Sequence, residues 1–571
     1  MSYGYAFLIG LLVIAPGAQA NEQQRAADAL IYQQQRDQLL DSQQRPMPQA
    51  TVPLDGLLQP VTPVITDEEP DQGLCFTVNR IVLVGEDAEK FNWALHSVTR
   101  KTAGYIGECL TVANINDLLS IVQNEIIKKG FVTTRVLLPA QNLSSGLLTI
   151  EVIPGKINDV RGDAASRSFW QWNTVPMSSG DLLNIRDLEQ ALENIQRLPT
   201  VDADFQIKPA HGVNKPGYSD IEIRHQQQRR YRLSASTDDS GSRATGKQQG
   251  NVTLSLDNIT NNHDLLYVSY NRNLSPLKDA SRGTEGYNVN YTIPYKYWLI
   301  NASTSRFDYH QTIAGANQPY VYAGESINNA VTISNLVYRD AMQKVTLSAG
   351  AYHRRSRNYI DDTEVEVQRR RTSGWQAGIV HQLKYKQHSL DWGLNYFRGV
   401  GMLGATRSPG ELFDEEDSRA GFWRGSVGYQ TPFVIRHHQL QYSANFRFQQ
   451  SGSILTPQDR FSIGNRYTVR GFDGEQSLAG ESGMTLRQEV AAALPWPKQQ
   501  VYLAADYGRV SGRATERSHP LVGHKLAGTA LGYRGAVSAV QYDVFIATPI
   551  YHPTGFKASS LTSGMSLYWS Y

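Results

Sequence analysis

Ser566-Leu567-Tyr568-Trp569-Ser570-Tyr571 is an alternating run that finishes on an aromatic side chain. Alternation at period two belongs to a strand whose two faces meet different surroundings. The same period runs back through the chain to about Gln227. Within that span sixteen amphipathic strands can be placed. They begin near Arg230, Gly250, Leu265, Gly286, Tyr297, Gly324, Gln343, Arg370, Ser389, Gly421, Leu440, Met484, Val501, Lys525, Ala536 and Ser563. About 345 residues give roughly 21 per strand and connection, which suits strands of about ten residues in a membrane barrel. Connections alternate in length. Pro294-Tyr295-Lys296, Tyr385–Gln387 and Trp496–Gln499 are short; Tyr309–Ala323, Val400–Ser418 and Ser451–Gly483 are long. An even count returns both barrel ends to one side, the side of the short turns. A soluble all-β array explains neither the loop asymmetry nor the aromatic final strand.

Composition agrees with a barrel. The 571 residues exceed one ordinary soluble domain, net charge is only +2, and mean hydropathy is −0.41. Near-neutral charge gives no electrostatic reason to invoke nucleic acid. After the first twenty residues no apolar run reaches 18, so helical spans are not expected. Barrel strands escape that test because lipid-facing and lumen-facing residues alternate. The 30 Tyr, 9 Trp and 47 Gly supply aromatic girdles and strand bends.

Ala6 to Ala15 is a short apolar core, and Ala18-Gln19-Ala20 offers a small-x-small cleavage site. Residues 1–20 thus read as a secretory signal peptide, although Met1 to Tyr5 carries no Lys or Arg. The two cysteines of an exported chain, Cys75 and Cys109, are expected to form a disulfide, which the chain-entropy model values at roughly 3–4 kcal/mol. A pair of free buried thiols is the alternative. Residues 21–45 are Gln-rich helix formers with a thin apolar stripe (Ala27, Leu30, Ile31, Leu39, Leu40), too polar to bury a wide face in a core. Prolines at 46, 48, 53, 60, 63 and 70 mark 46–72 as an extended linker.

Two similar α+β units follow, at 73–154 and 155–225, before the barrel at 226–571. In the first, Cys75 to Val84 reads as a strand. Thr111 caps a helix carrying Ile115, Leu118, Leu119, Val122 and Ile126, with Gly130 at C′; strands Val132–Leu138 and Leu147–Ile153 follow. In the second, Asn184 caps a helix carrying Ile185, Leu188, Leu192 and Ile195, stopped by Pro199; strands Ala203–Ile207 and Ser219–Ile223 follow. Helix, strand, Pro-Ala, Gly-containing loop and strand recur in that order, the layout of a repeated module.

This layout resembles the TpsB transporters of two-partner secretion, the outer-membrane partners of haemolysins, filamentous adhesins and contact-dependent growth-inhibition toxins. The resemblance covers Asn21 to Tyr571. It is carried by Cys75-Phe76-Thr77-Val78, Cys109-Leu110-Thr111, Gly130-Phe131-Val132-Thr133-Thr134-Arg135, Ser144-Ser145-Gly146 and, most tellingly, Val469-Arg470-Gly471-Phe472. The terminal aromatic strand looks like the assembly signal of bacterial outer-membrane barrels. The resemblance implies that the two modules are POTRA domains in the periplasm and that the chain is a membrane all-β barrel of sixteen strands. It implies that the loop after the eleventh strand folds into the barrel and that Arg470 meets an Asp on the thirteenth. The matching wall motif is Ala504-Ala505-Asp506-Tyr507-Gly508, where Asp506 and Gly508 fit and Ala504 replaces the usual Phe. Tyr502, Ala504 and Asp506 should face inward, Leu503 and Ala505 the lipid.

The implied activity is export of an unfolded TpsA-type exoprotein without ATP, nearest in pattern to the toxin and haemolysin subgroups. The expected partners are that client, outer-membrane lipid and the barrel-assembly machinery; the expected state is a monomer, with no cofactor. A helix at 21–45 could plug the resting pore or hang free in the periplasm. An assembly insertase of the same superfamily should carry more modules and lack that helix, and a passive porin needs no modules. No GxSxG, HExxH or Cys/His cluster at metal spacing is present, so no catalytic or metal residue is assigned. Arg161-Gly162-Asp163 lies between the modules and is read as chance.

Overall fold

The computed structural model describes residues 75–571 apart from 101–103, 163–171, 213–215, 275–280, 315–317, 414 and 513–522. Gln33, helical and buried, is also described. The expected signal peptide, the rest of the segment 21–45, the linker and Asp163 lie outside the described residues.

Among the described residues sixteen long antiparallel strands close on themselves, from Tyr231–Asp238 to Thr562–Ser570. The sixteenth pairs with the first from Ser566↔Asp238 to Ser570↔Ser234, and Tyr571 exchanges backbone bonds with Leu233. The alternating closing run therefore joins the ends of the sheet, so no edge meets the bilayer. On the thirteenth strand, Gln499–Ser511, Tyr502, Ala504 and Asp506 are buried while Leu503 and Ala505 are exposed.

Three details of the expected strand plan change. Strands run from 8 to 21 residues rather than about ten. The long connection expected over Tyr309–Ala323 is mostly strand, because Trp298–Ala314 and Pro319–Arg339 continue past the apolar band. Phe307, Tyr309 and Tyr322 form a small core there with Ile313 and Ile360, which is why this hairpin holds its length. The fifteenth strand begins at Val540, not near Ala536, which lies in the fourteenth, Lys525–Val537. Ser538, at positive φ, makes the tight turn between them.

Both modules share one sheet topology. Arg80–Val84 runs parallel to Leu147–Ile153, whose other edge carries antiparallel Arg135–Leu137. Lys156–Gly162, Tyr218–Gln227 and Val201–Pro209 repeat that order and those directions. The helix Val112–Lys128 starts at a Thr111–Asn114 capping box and buries Ile115, Leu118, Val122 and Ile126 against the first sheet. Cys75 and Cys109 are disulfide-bonded. The single strand expected over Cys75–Val84 is broken: Phe76–Thr77 pairs with Cys109–Leu110, while Arg80–Val84 pairs with Leu147–Glu151. Val132–Thr134 leaves the expected strand as well. Val132 packs into the second module's core and the Thr134 hydroxyl accepts from Gly155 N–H at 3.0 Å. Helical turns at Ala88–Thr99 and the strand Lys156–Gly162 were not expected; the latter, Lys-Ile-Asn-Asp-Val-Arg-Gly, is too polar to stand out by period.

The Gly130–Arg135 motif is the hinge between modules. Gly130, at φ +100°, closes the first helix, and its carbonyl accepts from Ile185 N–H at 2.9 Å. A Cβ there would sit 2.2 Å from Asn184 Oδ1, the oxygen that caps the second helix, so only glycine lets the two helix ends meet. Lys156 crosses the same joint, with Nζ 2.5 Å from Glu86 and 2.8 Å from Asp87.

Candidate functional site

Residues 452–481, between the eleventh strand His438–Ser451 and the twelfth Ser482–Ala493, turn back and pack on the inner wall. The loop brings Ile463, Val469, Phe472 and Leu478 against Val510, Leu526 and Phe556. Burial of this cluster is what seats the loop; the polar tip then fixes its register. Thr468 ties the preceding turn, its hydroxyl accepting from Gly464 N–H at 3.1 Å and Asn465 N–H at 3.2 Å.

Arg470 is 6% exposed and Asp506 4%. Arg470 Nε donates to Asp506 Oδ2 at 2.7 Å and Nη2 to Oδ1 at 2.8 Å, a two-pronged pair, and the Arg470 backbone N–H reaches Oδ2 at 2.9 Å. A second carboxylate, Glu489, takes Nη1 at 2.9 Å. The guanidinium thus joins two wall carboxylates that also face Arg487, 3.7 Å from Asp506, and Arg534, 2.7 Å from Glu489, so no buried charge stands alone. Three glycines make the approach possible. Gly471 turns at φ +106°, and a Cβ there would lie 2.7 Å from Thr548 O. A Cβ on Gly508 would meet Val469 at 2.9 Å, and one on Gly528 would lie 1.9 Å from Arg470 O.

Val469, Arg470, Gly471, Phe472, Asp506 and Gly508 are therefore brought together, whereas Cys75 and Cys109 sit in the first module. Phe472 finds its aromatic contact at Phe556, with centroids 5.6 Å apart and edge to face. Ala504 lies among Ala491, Tyr502, Ala530 and Ala547 instead. Sequence reasoning missed Glu489, Gly528 and Phe556. Glu489 shares the inward parity of Arg487, a signal present in the alternation. Gly528 stands opposite Asp506 in register, which no local pattern reveals.

A second constellation joins the modules to the barrel. Only residues 228–230 separate Tyr218–Gln227 from the first barrel strand. The helix Ile185–Gln196 packs its apolar side on its own sheet and buries Arg186, Glu189, Gln190 and Asn194 as well. Those polar residues meet the short-turn rim. Asn194 Nδ2 donates to Lys296 O at 2.8 Å, and Arg197 Nη2 to His263 O at 2.6 Å. Arg339 reaches Glu189 at 3.0 Å and Glu193 at 2.8 Å, Lys344 pairs with Glu193, and the Tyr297 hydroxyl donates to Asp187. Burial raises Asp187 above the usual carboxylate value, against the pull of that hydroxyl.

His263 of this rim packs edge to face on His225 of the second module, with centroids 5.3 Å apart. Burial, then His225 and Arg197, push the His263 imidazole down to about 3. A depressed folded value leaves the joint fully stable above the unfolded value, about 6.5, and weakens it as pH falls toward 3. Acidification to pH 5 should cost the joint about 2 kcal/mol. Spin-label distances between second module and barrel should accordingly broaden at pH 5, and the His263→Gln chain, which keeps His225 with its own imidazole lowered by burial, should broaden less. Identical distributions for the unmodified chain at both pH values would refute this.

Comparison with known proteins converges on one family. The model described as haemolysin secretion/activation protein ShlB/FhaC/HecB matches residues 217–535. A ShlB-type POTRA model matches 76–155, and a further POTRA model matches 156–209. The chain is 32% identical to outer membrane transporter CdiB-2 of Burkholderia pseudomallei, covering 96% of this chain and 95% of the relative. It is 27% identical to outer membrane transporter CdiB of Dickeya dadantii, covering 98% and 96%. Among solved structures, CdiB from Acinetobacter baumannii superposes with a TM-score of 0.82 at 29% identity, covering 96% of this chain and 99% of that one.

Proposed function

Since the chain belongs to the ShlB/FhaC/HecB haemolysin secretion/activation family, as an outer-membrane transporter with periplasmic POTRA modules, we propose that its cargo is a large TpsA-type exoprotein of the contact-dependent toxin class. The client crosses unfolded, without ATP, and folds outside. The observation that carries this reading is the continuity of the parts. Two modules stand fixed at the mouth of a closed cylinder, and the loop seated by Arg470 lies on the inner wall along the route. Free strand edges on the modules can take an extended client by backbone pairing, with side-chain pockets adding selectivity. The wall then offers no competing edge.

The fixed loop tip narrows the resting lumen, and the helix proposed at 21–45 fills what remains. Gln33, helical and buried, is compatible with that place. Vesicles holding the purified chain test both ideas. An unfolded N-terminal secretion fragment of a TpsA-type exoprotein should become protease-protected inside them with no nucleotide present. Deletion of residues 21–45 should raise single-channel conductance. Failure of protection, or dependence on ATP, would overturn the transport reading; unchanged conductance would remove the plug alone. An assembly insertase would instead integrate an unfolded barrel protein into the vesicle membrane.

A further inference from the structure

Outward-facing residues at the long-loop end of the barrel divide into two groups. On the fourth to sixth strands charges cancel: Arg306 pairs with Asp308 at 2.8 Å and with Glu325 at 3.3 Å. On the seventh to ninth strands, Gln343–Ile360, Arg370–Tyr385 and His388–Val400, the balance is different. Arg355, Arg357, Arg371 and Arg398 share the outer face, and none has a carboxylate within 4 Å among the described residues. Arg355 stands directly across from Arg371. Glu325 is the register partner of Arg357, yet it is drawn to Arg306. Like charges directly opposed in a sheet are destabilising unless an anion lies between them.

Inward-facing neighbours provide the contrast. Arg354 and Arg370, one residue away, reach Asp459 at 2.5 Å and Glu416 at 3.1 Å. The fold therefore supplies partners to arginines on these strands when they face the lumen. Outside, Arg357 Nε and Arg371 Nε are shielded from solvent with no hydrogen-bond acceptor among the described residues.

Height on the wall identifies the surroundings. Trp375, Tyr396 and Trp423 line up across the eighth to tenth strands, with ring centroids 5.6 and 4.8 Å apart, and form an outward aromatic belt. Exposed Tyr385 lies ten residues below Trp375 on the same strand, at the short-turn rim. Ten residues at about 3.3 Å, tilted by about 45°, span roughly 23 Å, the height of a lipid-facing apolar band. Trp375 thus marks the outer interface. Arg398 stands beside it in register, and Arg371 lies four residues further out, at headgroup depth.

We propose that Arg355, Arg357, Arg371 and Arg398 form a site on the outer wall for the phosphate groups of an outer-leaflet glycolipid. Guanidinium forks match phosphate oxygens in pairs, and one phosphate between Arg355 and Arg371 relieves their repulsion. The acyl chains then lie along the belt and the apolar band below it. Such a lipid would steady the three strands that carry the long outer hairpins, independently of any client.

The test uses the full chain in detergent, titrated in native mass spectrometry with diphosphoryl lipid A, its dephosphorylated form, and inorganic phosphate. Diphosphoryl lipid should bind at least about tenfold tighter than the dephosphorylated form. The paired change R355Q/R371Q should lose at least about tenfold. R306Q, which removes an outward arginine already paired with Asp308 at 2.8 Å, should bind as the unmodified chain does. Heat-modifiable migration reports whether each barrel is folded, and R398Q replaces the double variant if that one is not. Equal affinity for both lipids, or for R355Q/R371Q and the unmodified chain, overturns the site. Full displacement by millimolar inorganic phosphate would assign it to the free anion and overturn the lipid.

Discussion

Replacing Arg470 with Ala should release the loop tip from the wall and depress client export strongly while the barrel still inserts. The change removes the close partner of Asp506, whose side chain is fully buried, leaving it Arg487 at 3.7 Å, while Glu489 keeps Arg534 at 2.7 Å. A buried carboxylate left with no partner costs about 3–5 kcal/mol, and the remaining Arg487 holds the expected cost to the lower end. At the lower end that is a shift of roughly 100-fold between seated and unseated loop. The apolar seat of Val469, Phe472 and Phe556 remains, so the loop should loosen rather than leave. Asp506→Asn should be milder, because the amide still accepts one bond and Glu489 still holds the guanidinium. The double variant should cost less than the sum of the two singles, by at least about 1 kcal/mol, since the partners touch. Exchange protection of residues 465–475 and export in cells are the measurements. Normal export by Arg470→Ala, with the loop equally protected, would falsify the assigned role.

How much of this was legible in the sequence depends on the scale of the signal. The barrel was legible because each strand faces lipid on one side and lumen on the other, so alternation repeats wherever the wall exists. Loop ends were not, since Tyr309 and Tyr322 extend their hairpin by packing on each other and on Ile360, about forty residues away. Arg470 and Asp506 carry meaning only through resemblance: four residues in a loop and an Asp in a strand predict no contact by themselves. Their near neighbours show why. Gly528 reads as an ordinary strand glycine until register sets it against Asp506 and the Arg470 carbonyl. Lys156–Gly162 failed for the opposite reason. Its polar residues serve contacts such as Lys156 with Asp87 and Asn158 with Asp220, which follow from assembly and not from period. The helix Ile185–Gln196 shows both limits at once. Its apolar stripe was visible, and the burial of its charged side was not, because that burial requires a barrel rim placed against it.

That rim yields the second large effect. Arg339 is the centre of the joint, its side chain 5% exposed, with Nε on Glu189, Nη1 on Gln190 at 3.1 Å, and both terminal nitrogens on Glu193. Arg339→Ala would leave Glu189 to Arg186 and Glu193 to Lys344 alone. The expected loss in docking is about 3–5 kcal/mol. Arg339→Lys should recover only part, because a point charge cannot serve three acceptors in one plane. Glu193→Gln should lie between, keeping an acceptor while stranding Lys344. A three-residue connection cannot by itself hold the second module in one orientation, so these bonds set how the module stands at the mouth of the cylinder. Arg339→Ala should therefore widen the distances between helix Ile185–Gln196 and the turn at Lys296-Tyr297, and lower export, while the loop seat at Arg470 stays intact. The two lesions separate cleanly: exchange in residues 465–475 rises with Arg470→Ala and not with Arg339→Ala. If module distances stay narrow in the Arg339→Ala chain, the joint is held by the backbone acceptors at Lys296 and His263, and the clamp has no orienting role.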